Sequence, residues 1–350
     1  MKGLLSLLVV LAIIATLPAS AMAQNRLMNP GFEDGPIGLG VLQWGAFGND
    51  YIEGNSYPFF PYEGDQLVSM FGNWWGVFNV SGIFQEFSTT PGAQWNMSCY
   101  SRHNTADPMT GQAGVGESNW VVQKIVFKDG GGNEIGAQES IILDGTFALD
   151  TWHFNGPLSA IAPPGTATAS AFILYLQPLW DGGAAHIDNV SFWQTAEDVA
   201  LDIHPGSCPN PINLGGKGVV PVAILGSETL DVSTIDLSTV ALEGVSAKKA
   251  RIYDVAAPLE YGHDCDCTNA GPDGYDDLSL KFLNQDVVQA IVPASFKEER
   301  TLTLTGYLLD GTPIEGQDCV VIVGAPKDLI AGNPGEETAP NPGGQAGGPL

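Results

Sequence analysis

The chain reads as two β-sandwich domains in tandem, a jelly roll followed by a smaller immunoglobulin-like sandwich, and three observations predict it. Runs of strand length, alternating or wholly apolar, recur along most of the 350 residues and are separated by turn residues. Glycine and proline, 44 and 24 residues, are scattered throughout, and no long segment has a 3.6-residue period. A compositional break falls near residue 195, because all eight Trp lie between Trp44 and Trp193 whereas four of the five Cys lie from Cys208 onward. At roughly 100–200 residues per domain, the length also suggests two domains.

Residues 1–23 are expected to be a secretory leader. They carry a lone Lys2, an apolar core from Leu4 to Leu17 and the small-x-small site Ala21-Met22-Ala23. The core is shorter than the roughly 20 apolar residues that span a bilayer, and no later stretch is longer. The mature protein is therefore expected to begin near Gln24 and to be secreted, to the extracellular space, the cell surface or the periplasm. Thirteen basic against thirty-nine acidic residues give a net charge of −26. That balance excludes nucleic acid as a partner, since the phosphate backbone is held through Lys and Arg, and it disfavours anionic membranes. Its plainest consequence is solubility by self-repulsion.

The first domain, residues 24–194, is expected to place strands at Gln66–Met70, Ile83–Phe87, Trp95–Tyr100, Val121–Phe127, Ala169–Leu176 and His186–Phe192. Asp129-Gly130-Gly131-Gly132-Asn133 between two such runs is a hairpin signal. Many short strands with turn punctuation point to a sandwich or jelly roll. Residues 195–198 are the expected linker, 199–324 the second domain, and 325–350 a Pro/Gly-rich tail with too little bulky apolar side chain to bury a core.

Several strings recur in a recognisable order: Asn25 through Asn29-Pro30-Gly31-Phe32-Glu33-Asp34-Gly35, then Trp44, then Gln85-Glu86-Phe87 ahead of Pro91-Gly92. Ser98-Cys99-Tyr100-Ser101-Arg102, Ala162-Pro163-Pro164-Gly165-Thr166 and Ile187-Asp188-Asn189-Val190-Ser191-Phe192 complete it. This order resembles the CenC-type carbohydrate-binding modules and, more broadly, the galactose-binding-like jelly rolls, over nearly all of residues 24–194. The resemblance implies a structural calcium near the Gly-Phe-Glu turn, with Glu33 and Asp188 as carboxylate ligands and backbone carbonyls completing a shell of six to eight oxygens. The plainer alternative makes Glu33 a turn cap and Asp188 a solvated strand-end residue.

A carbohydrate site would rest on aromatics, because sugar rings present flat C–H faces and a few placed polar groups bond the hydroxyls. Trp74 and Trp75, within Phe71-Gly72-Asn73-Trp74-Trp75-Gly76, are the leading candidates. Trp44, Tyr51, Tyr62, Trp120 and Trp180 follow, with Arg102, Gln123 and Asp181 as polar partners. Trp95, Trp152 and Trp193 lie on strand-like runs and are expected to pack inside.

The second domain also reads as strands, at Pro221–Gly226, Leu237–Leu242, Leu278–Phe282, Leu302–Leu309 and Cys319–Val323, with one short helix at Asn284–Ile291. It resembles a module of unassigned function found in secreted bacterial proteins. Its Asn269-Ala270-Gly271-Pro272-Asp273-Gly274-Tyr275-Asp276-Asp277 string is similar to the calcium loop of integrin-like repeats. Asn269, Asp273, the Tyr275 carbonyl and Asp277 are the implied ligands, and Gly271 stands where an acid is expected. Asp264 or Asp266 folding back would supply the missing oxygen, whereas the bland reading is an ordinary solvated loop.

In an exported chain Cys208, Cys265, Cys267 and Cys319 form an even set with three pairings open. Cys208 with Cys319 is one pair the order allows. Cys265 and Cys267 are too close for an unstrained internal bridge, so a link from Cys208 or Cys319 to either is also open. His263 is the only neighbouring imidazole for a zinc site at Cys265 and Cys267. Cys99 is left as a buried thiol.

Catalysis finds little support. There is no G-x-S-x-G elbow, no H-E-x-x-H and no phosphate loop, and His103, His153 and His186 have no adjacent nucleophile. The expected function is therefore a non-catalytic carbohydrate-binding protein, stabilised by calcium, whose partner is a polysaccharide or cell-surface glycan. A structural or adhesive surface protein with buried aromatics is the alternative, and a glycoside hydrolase, which needs paired carboxylates, a weaker one.

Overall fold

A computed structural model describes residues 25–258, 267 and 269–324. The expected leader, the tail, Cys265, Asp264 and Asp266 lie outside those residues. The protein is all-β, and the chain divides into two compact units. The first runs to Asp198 and takes in Gly306–Glu315; the second comprises Val199–Thr305 and resumes at Gly316.

The first unit holds strands β1 (Gly45–Phe47), β2 (Asn49–Gly54), β3 (Gln66–Phe71), β4 (Asn79–Ser88), β5 (Gln94–Arg102), β6 (Trp120–Asp129), β7 (Glu134–Asp144), β8 (His153–Ile161), β9 (Thr166–Gln177) and β10 (Ala185–Gln194). The order β1-β4-β9-β6-β7 makes one sheet and β2-β3-β10-β5-β8 the other. Pleating sends alternate side chains to opposite faces, so Ile83, Ile173, Val121 and Ile125 meet Val68, Met70, Ile187, Trp95, Met97 and Cys99 between the sheets. Trp95 stacks on Phe192 at 4.5 Å between ring centroids, and Phe87 lies against both, 6.1 Å from the Trp95 ring and 5.9 Å from the Phe192 ring.

All six expected strands form. The strands β7 and β8, absent from the expected set, are sheet edges. Glu134–Ser140 is almost wholly exposed, and β8 includes Pro157, a residue that sheets tolerate at an edge. Neither carries an apolar face dense enough to stand out in the sequence. The Asp129–Asn133 hairpin is organised by the Asp129 carboxylate, which accepts hydrogen bonds from the Gly131 and Asn133 amides.

The opening and closing segments of the jelly roll lie together. Arg26 N donates to Phe192 O, Val190 N donates to Pro30 O, and Phe192 N donates to Asn25 Oδ1. The register of β10 against β5 shifts between Asp188 and Ser191, with Asn189 at a φ of 46°. That bulge re-aims the Asp188 side chain.

After β11 (Glu197–Asp198), the remaining strands are β12 (Leu201–Ile203), β13 (Pro211–Asn213), β14 (Val219–Ile224), β15 (Ala241–Leu242), β16 (Val245–Ser246), β17 (Lys249–Ile252), β18 (Leu278–Leu283), β19 (Glu299–Tyr307) and β20 (Pro313–Val323). Among the described residues one α-helix, α1, spans Asn284–Ile291 as the sequence predicts. In the second unit β12-β14-β18-β17 form one sheet, while β15 pairs with β16 and β19, and β13 runs parallel to β20. Leu237–Val240, expected as part of a strand, is turn, because Asp236 collects the Ser238 amide and hydroxyl.

Cys208 is bridged to Cys267, with Cα atoms 5.4 Å apart, so the pair Cys208 with Cys319 does not form. Cys319 is itself disulfide-bonded. Cys99 is free and fully buried, and burial pushes its thiol up to about 12.

Two outcomes follow from this core. In the native protein Cys99 should resist alkylation and react once the chain is denatured without reductant, as read by peptide mass mapping. Trp95→Ala should destabilise the first unit by about 3–5 kcal/mol in denaturant titrations followed by tryptophan fluorescence.

Candidate functional site

Three indoles stand open at one end of the first sandwich. Trp74, Trp75 and Trp180 are 41%, 67% and 61% exposed, and Val77 and Phe78 beside them are exposed as well. The segment 72–78 joins β3 to β4, and the segment 178–184 follows β9. The one loop enters the first sheet from the second and the other leaves it, both at the end where Val80, Leu176 and Trp120 stand side by side on its outer face.

A buried amide network holds the two loops in place. Gln177 Oε1 accepts from Trp74 N at 2.7 Å and from Asn79 Nδ2 at 3.1 Å, and its Nε2 donates to Asp181 O at 2.8 Å. Asn119 Nδ2 donates to Asp181 O, Gly182 O and the Tyr175 hydroxyl, and that hydroxyl donates to Gly183 O. Asn79 Oδ1 accepts from Asn73 N.

Two glycines make the approach possible. A Cβ on Gly72 would sit 2.1 Å from the Gln177 side-chain carbon, and one on Gly76 would sit 2.2 Å from the Trp180 ring. Trp74 itself adopts a φ of +51°, a conformation rare outside glycine and the kind of local strain found at ligand sites. Trp74 leans toward Phe71, which stacks on Tyr51, while the Trp180 ring lies over Gly76.

The outer face of the first sheet continues the apolar character inward from this rim. Behind Val80, Leu176 and Trp120 come Phe47, Gly82, Leu174, Val122 and Ile141 in register. The next row brings Phe84 stacked on Phe172 at 5.0 Å, then Lys124 opposite Glu139. At the far end Lys128 pairs with Glu86, which also accepts from the Ser170 hydroxyl. The result is an apolar strip bordered by charged and hydroxyl groups.

The outer face of the second sheet is closed instead. The segment between β2 and β3 lies across it, with Tyr62 stacked on Tyr100 at 3.5 Å and Phe59 edge-on to His186 at 5.4 Å. Beneath, His186 Nδ1 meets Ser69 Oγ at 2.8 Å and its Nε2 meets Asn104 Nδ2 at 2.6 Å. Burial holds the imidazole down to about 3, so it is neutral.

Of the expected carbohydrate contacts, the structure gathers Trp74, Trp75 and Trp180 at the rim and sets Trp120 half-buried on the adjoining sheet face. It separates the others. Trp44 is 7% exposed, packs on Phe32 and donates its indole N–H to Asn29 O, so it is core. Gln123 is 1% exposed and lies between the sheets, donating to Ser140 Oγ. Arg102 is 5% exposed beneath the covering segment, bound to Phe60 O and Asp150. Tyr62 is 43% exposed, as open as Trp74, but stands on that covering segment, stacked on Tyr100. Trp152 and Trp193 are half-buried, not core. Val77, Phe78 and the supporting Gln177 and Asn119 were not singled out from the sequence; only the run Val77-Phe78 ahead of a strand signals them.

The acids expected at calcium sites divide the same way. Glu33 and Asp188 both reach the 62–66 segment: Asp188 Oδ2 accepts from Tyr62 N and Glu63 N, and Glu33 accepts from Asp65 N and Gln66 N. Gly64, at a φ of +67°, leaves room for the Glu33 carboxylate, since a Cβ there would fall 2.2 Å from Oε1. Asp188 is fully buried, and burial, reinforced by the Glu33 charge, pushes its carboxyl up to about 6 against its three amide hydrogen bonds. In the second unit Asp277 is buried and spent on the Gly226, Val255 and Ala256 amides. Asn269, Asp273 and Tyr275 are exposed, and Asp273 caps the Tyr275 amide, so Asp277 does not join them in one ligand set.

A shallow cavity of about 540 Å³ lies elsewhere, against β7 and β8, lined by Gln94, Phe127, Ile135, Gln138, Ile161 and Pro163. It contains none of the rim indoles. No helix among the described residues is long and apolar enough to cross a membrane.

No family model and no curated protein matches the chain. Among solved structures it is similar to the enzymatically active domain of bacteriophage CBA120 tailspike protein 4, at 16% identity and a TM-score of 0.32, over 49% of this chain and 21% of that one. It is also similar to TmCBM61 in complex with β-1,4-galactotriose, at 17% identity and a TM-score of 0.31, over 49% of this chain and 100% of that one. The CBM22-2 xylan-binding domain from Paenibacillus barcinonensis Xyn10C aligns at 16% identity and a TM-score of 0.30, over 47% of this chain and 97% of that one. The chain spans about a fifth of the tailspike domain it matches.

The buried amide network has a direct readout. Gln177→Ala should release the rim while leaving the sandwich folded, so acrylamide quenching of tryptophan fluorescence should rise above wild type with unchanged far-UV circular dichroism.

Proposed function

We propose that the first unit is a non-catalytic carbohydrate-binding module and that a polysaccharide chain lies across Trp74, Trp75 and Trp180, continuing toward Trp120 and the apolar strip. The observation that carries this reading is the exposure of three indoles on loops that buried amides hold rigid. Flat rings fixed in advance cost little ordering entropy on binding, and their faces suit the C–H faces of pyranose rings. Asp181, Asn73 and the Lys124–Glu139 row are polar groups near enough to the strip to bond hydroxyls. The reading as a structural or adhesive spacer assumed buried aromatics, and the rim indoles are open.

The calcium belongs to this reading. Glu33 and Asp188 offer oxygen ligands only, both facing the 62–66 segment, and Asp188 is a buried carboxylate with a second carboxylate for a neighbour. That donor set fits a hard cation. Bound there, calcium would offset the repulsion between the two acids and fasten the 62–66 segment to β10. Secretion and a cell-surface or extracellular glycan as partner complete the proposal.

Retardation in polysaccharide-containing affinity gels tests the binding reading. Trp75→Ala and Trp180→Ala should each weaken binding by about 2 kcal/mol, roughly 30-fold. Unretarded wild-type protein across galactan, xylan and cellulose gels would remove it. For calcium, chelation should lower the midpoint of the tryptophan-detected melt, since a ligand held only by the native state stabilises by about 2.7 kcal/mol at a hundredfold excess over Kd. Glu33→Gln should abolish that response; an identical melt with and without chelator would exclude calcium at this position.

A further inference from the structure

The second unit contains buried oxygens that the protein's own donors leave unfilled. Asp202, on β12, is 6% exposed, and its Oδ2 is buried without a hydrogen-bond donor. Asn210, just before β13, is 2% exposed, and its Oδ1 is likewise buried without a donor. The nitrogen of the same amide is fully used, donating to Asp318 Oδ2 at 3.1 Å and to Cys319 O at 3.2 Å. Asp318, on β20, accepts from Ile203 N at 2.6 Å and from its neighbour Cys319 N at 2.7 Å. The peptide that follows Asp202 is thus tied to Asp318, and Asn210 is tied to it from the other side.

An unfilled buried acceptor is costly, more so when it is charged, and natural structures seldom leave one. No lysine, arginine or histidine bonds to these three side chains among the described residues. Burial pushes Asp202 up to about 7, with the charges of Asp318 and Asp277 adding to the effect, and pushes Asp318 up to about 6. Two desolvated carboxylates and an amide carbonyl are therefore present with no cationic side chain bonded to them among the described residues.

We propose that Asp202, Asn210 and Asp318 hold a divalent cation, calcium, between β12, the approach to β13, and β20. All three supply oxygen, and neither thiolate nor imidazole takes part, which selects a hard ion over zinc or copper. Calcium accepts irregular shells of six to eight oxygens that include amide carbonyls, whereas magnesium demands a near-ideal octahedron and keeps several waters. It would cross-link β12 and the approach to β13 to β20, which lies 108 residues beyond Asn210, and Asn210 directs its donors to Asp318 and Cys319 so that its carbonyl oxygen is left for the metal. This site is separate from Glu33 and Asp188 and from the exposed Asn269, Asp273 and Tyr275.

Calorimetric titration of the metal-free full chain with calcium chloride tests the assignment, comparing wild type, Asp202→Asn and Glu33→Gln. The expected result is that Asp202→Asn binds one calcium fewer than wild type while its tryptophan-detected melt, which reports the first unit alone, keeps the wild-type response to chelator. Glu33→Gln should retain the Asp202 equivalent, so failure of one calcium site does not mask the other. Equal stoichiometry in wild type and Asp202→Asn would overturn the proposal, leaving Asp202 as a carboxyl that is buried protonated. Should Asp202→Asn fail to fold, crystals of the wild type soaked in calcium decide. A metal peak about 2.3–2.6 Å from Asp202 Oδ2 and Asn210 Oδ1 supports it, and a water or empty density there overturns it.

Discussion

The arrangement at the open end of the first sandwich depends on one side-chain amide. Gln177 ends β9 at the boundary between core and loop, and its carbonyl oxygen fastens the Trp74 amide while its nitrogen fastens the Asp181 carbonyl. A glutamine can do this because its planar group offers acceptor and donor in opposite directions. Fully buried, it makes each bond in a medium where leaving it unmade would be expensive. The tryptophan rim is thus an extension of the core's hydrogen bonding, which is why three large exposed rings can hold fixed positions without being packed.

The two outer faces of the sandwich differ. One is covered by its own chain, and the cover leaves His186, Ser69, Asn104 and Arg102 sealed in a polar layer. The other stays open, graded from indoles and aliphatics at the rim to the Lys128–Glu86 pair at the far end. An exposed apolar strip of this kind, bordered by polar groups, marks a binding surface more often than a fault in folding.

Acidic residues impose the second constraint. A chain with a net charge of −26 keeps most of its carboxylates in water, so the few it buries need compensation. Asp277 obtains it from three backbone amides, and Asp188 likewise from three, though Asp188 also faces Glu33. Asp202 has no such donor for one of its oxygens. The unfilled oxygen sets Asp202 apart from these amide-bonded acids, and charge clustering along the chain does not mark it. The crowded 264–277 string drew attention in the sequence, yet Asp277 serves as a cap; Asp202 and Asp318 sit 116 residues apart in unremarkable strings.

The sequence by itself determined the fold class, six of the ten strands of the first sandwich and the helix at Asn284–Ile291. These are carried by local pattern, since pleat alternation and turn chemistry act between near neighbours. It also marked Trp74 and Trp75 as the leading aromatics, with Trp180 one of five in a second rank. Only the tertiary structure decided that Trp44 and Gln123 are interior, that Arg102 is covered, that β7 and β8 close the sheets as weakly patterned edges, and that Cys208 pairs with Cys267. The reason is physical: which side of a sheet is covered, and which oxygen finds a donor, depends on segments that meet from far apart in the chain, and no local string records that meeting.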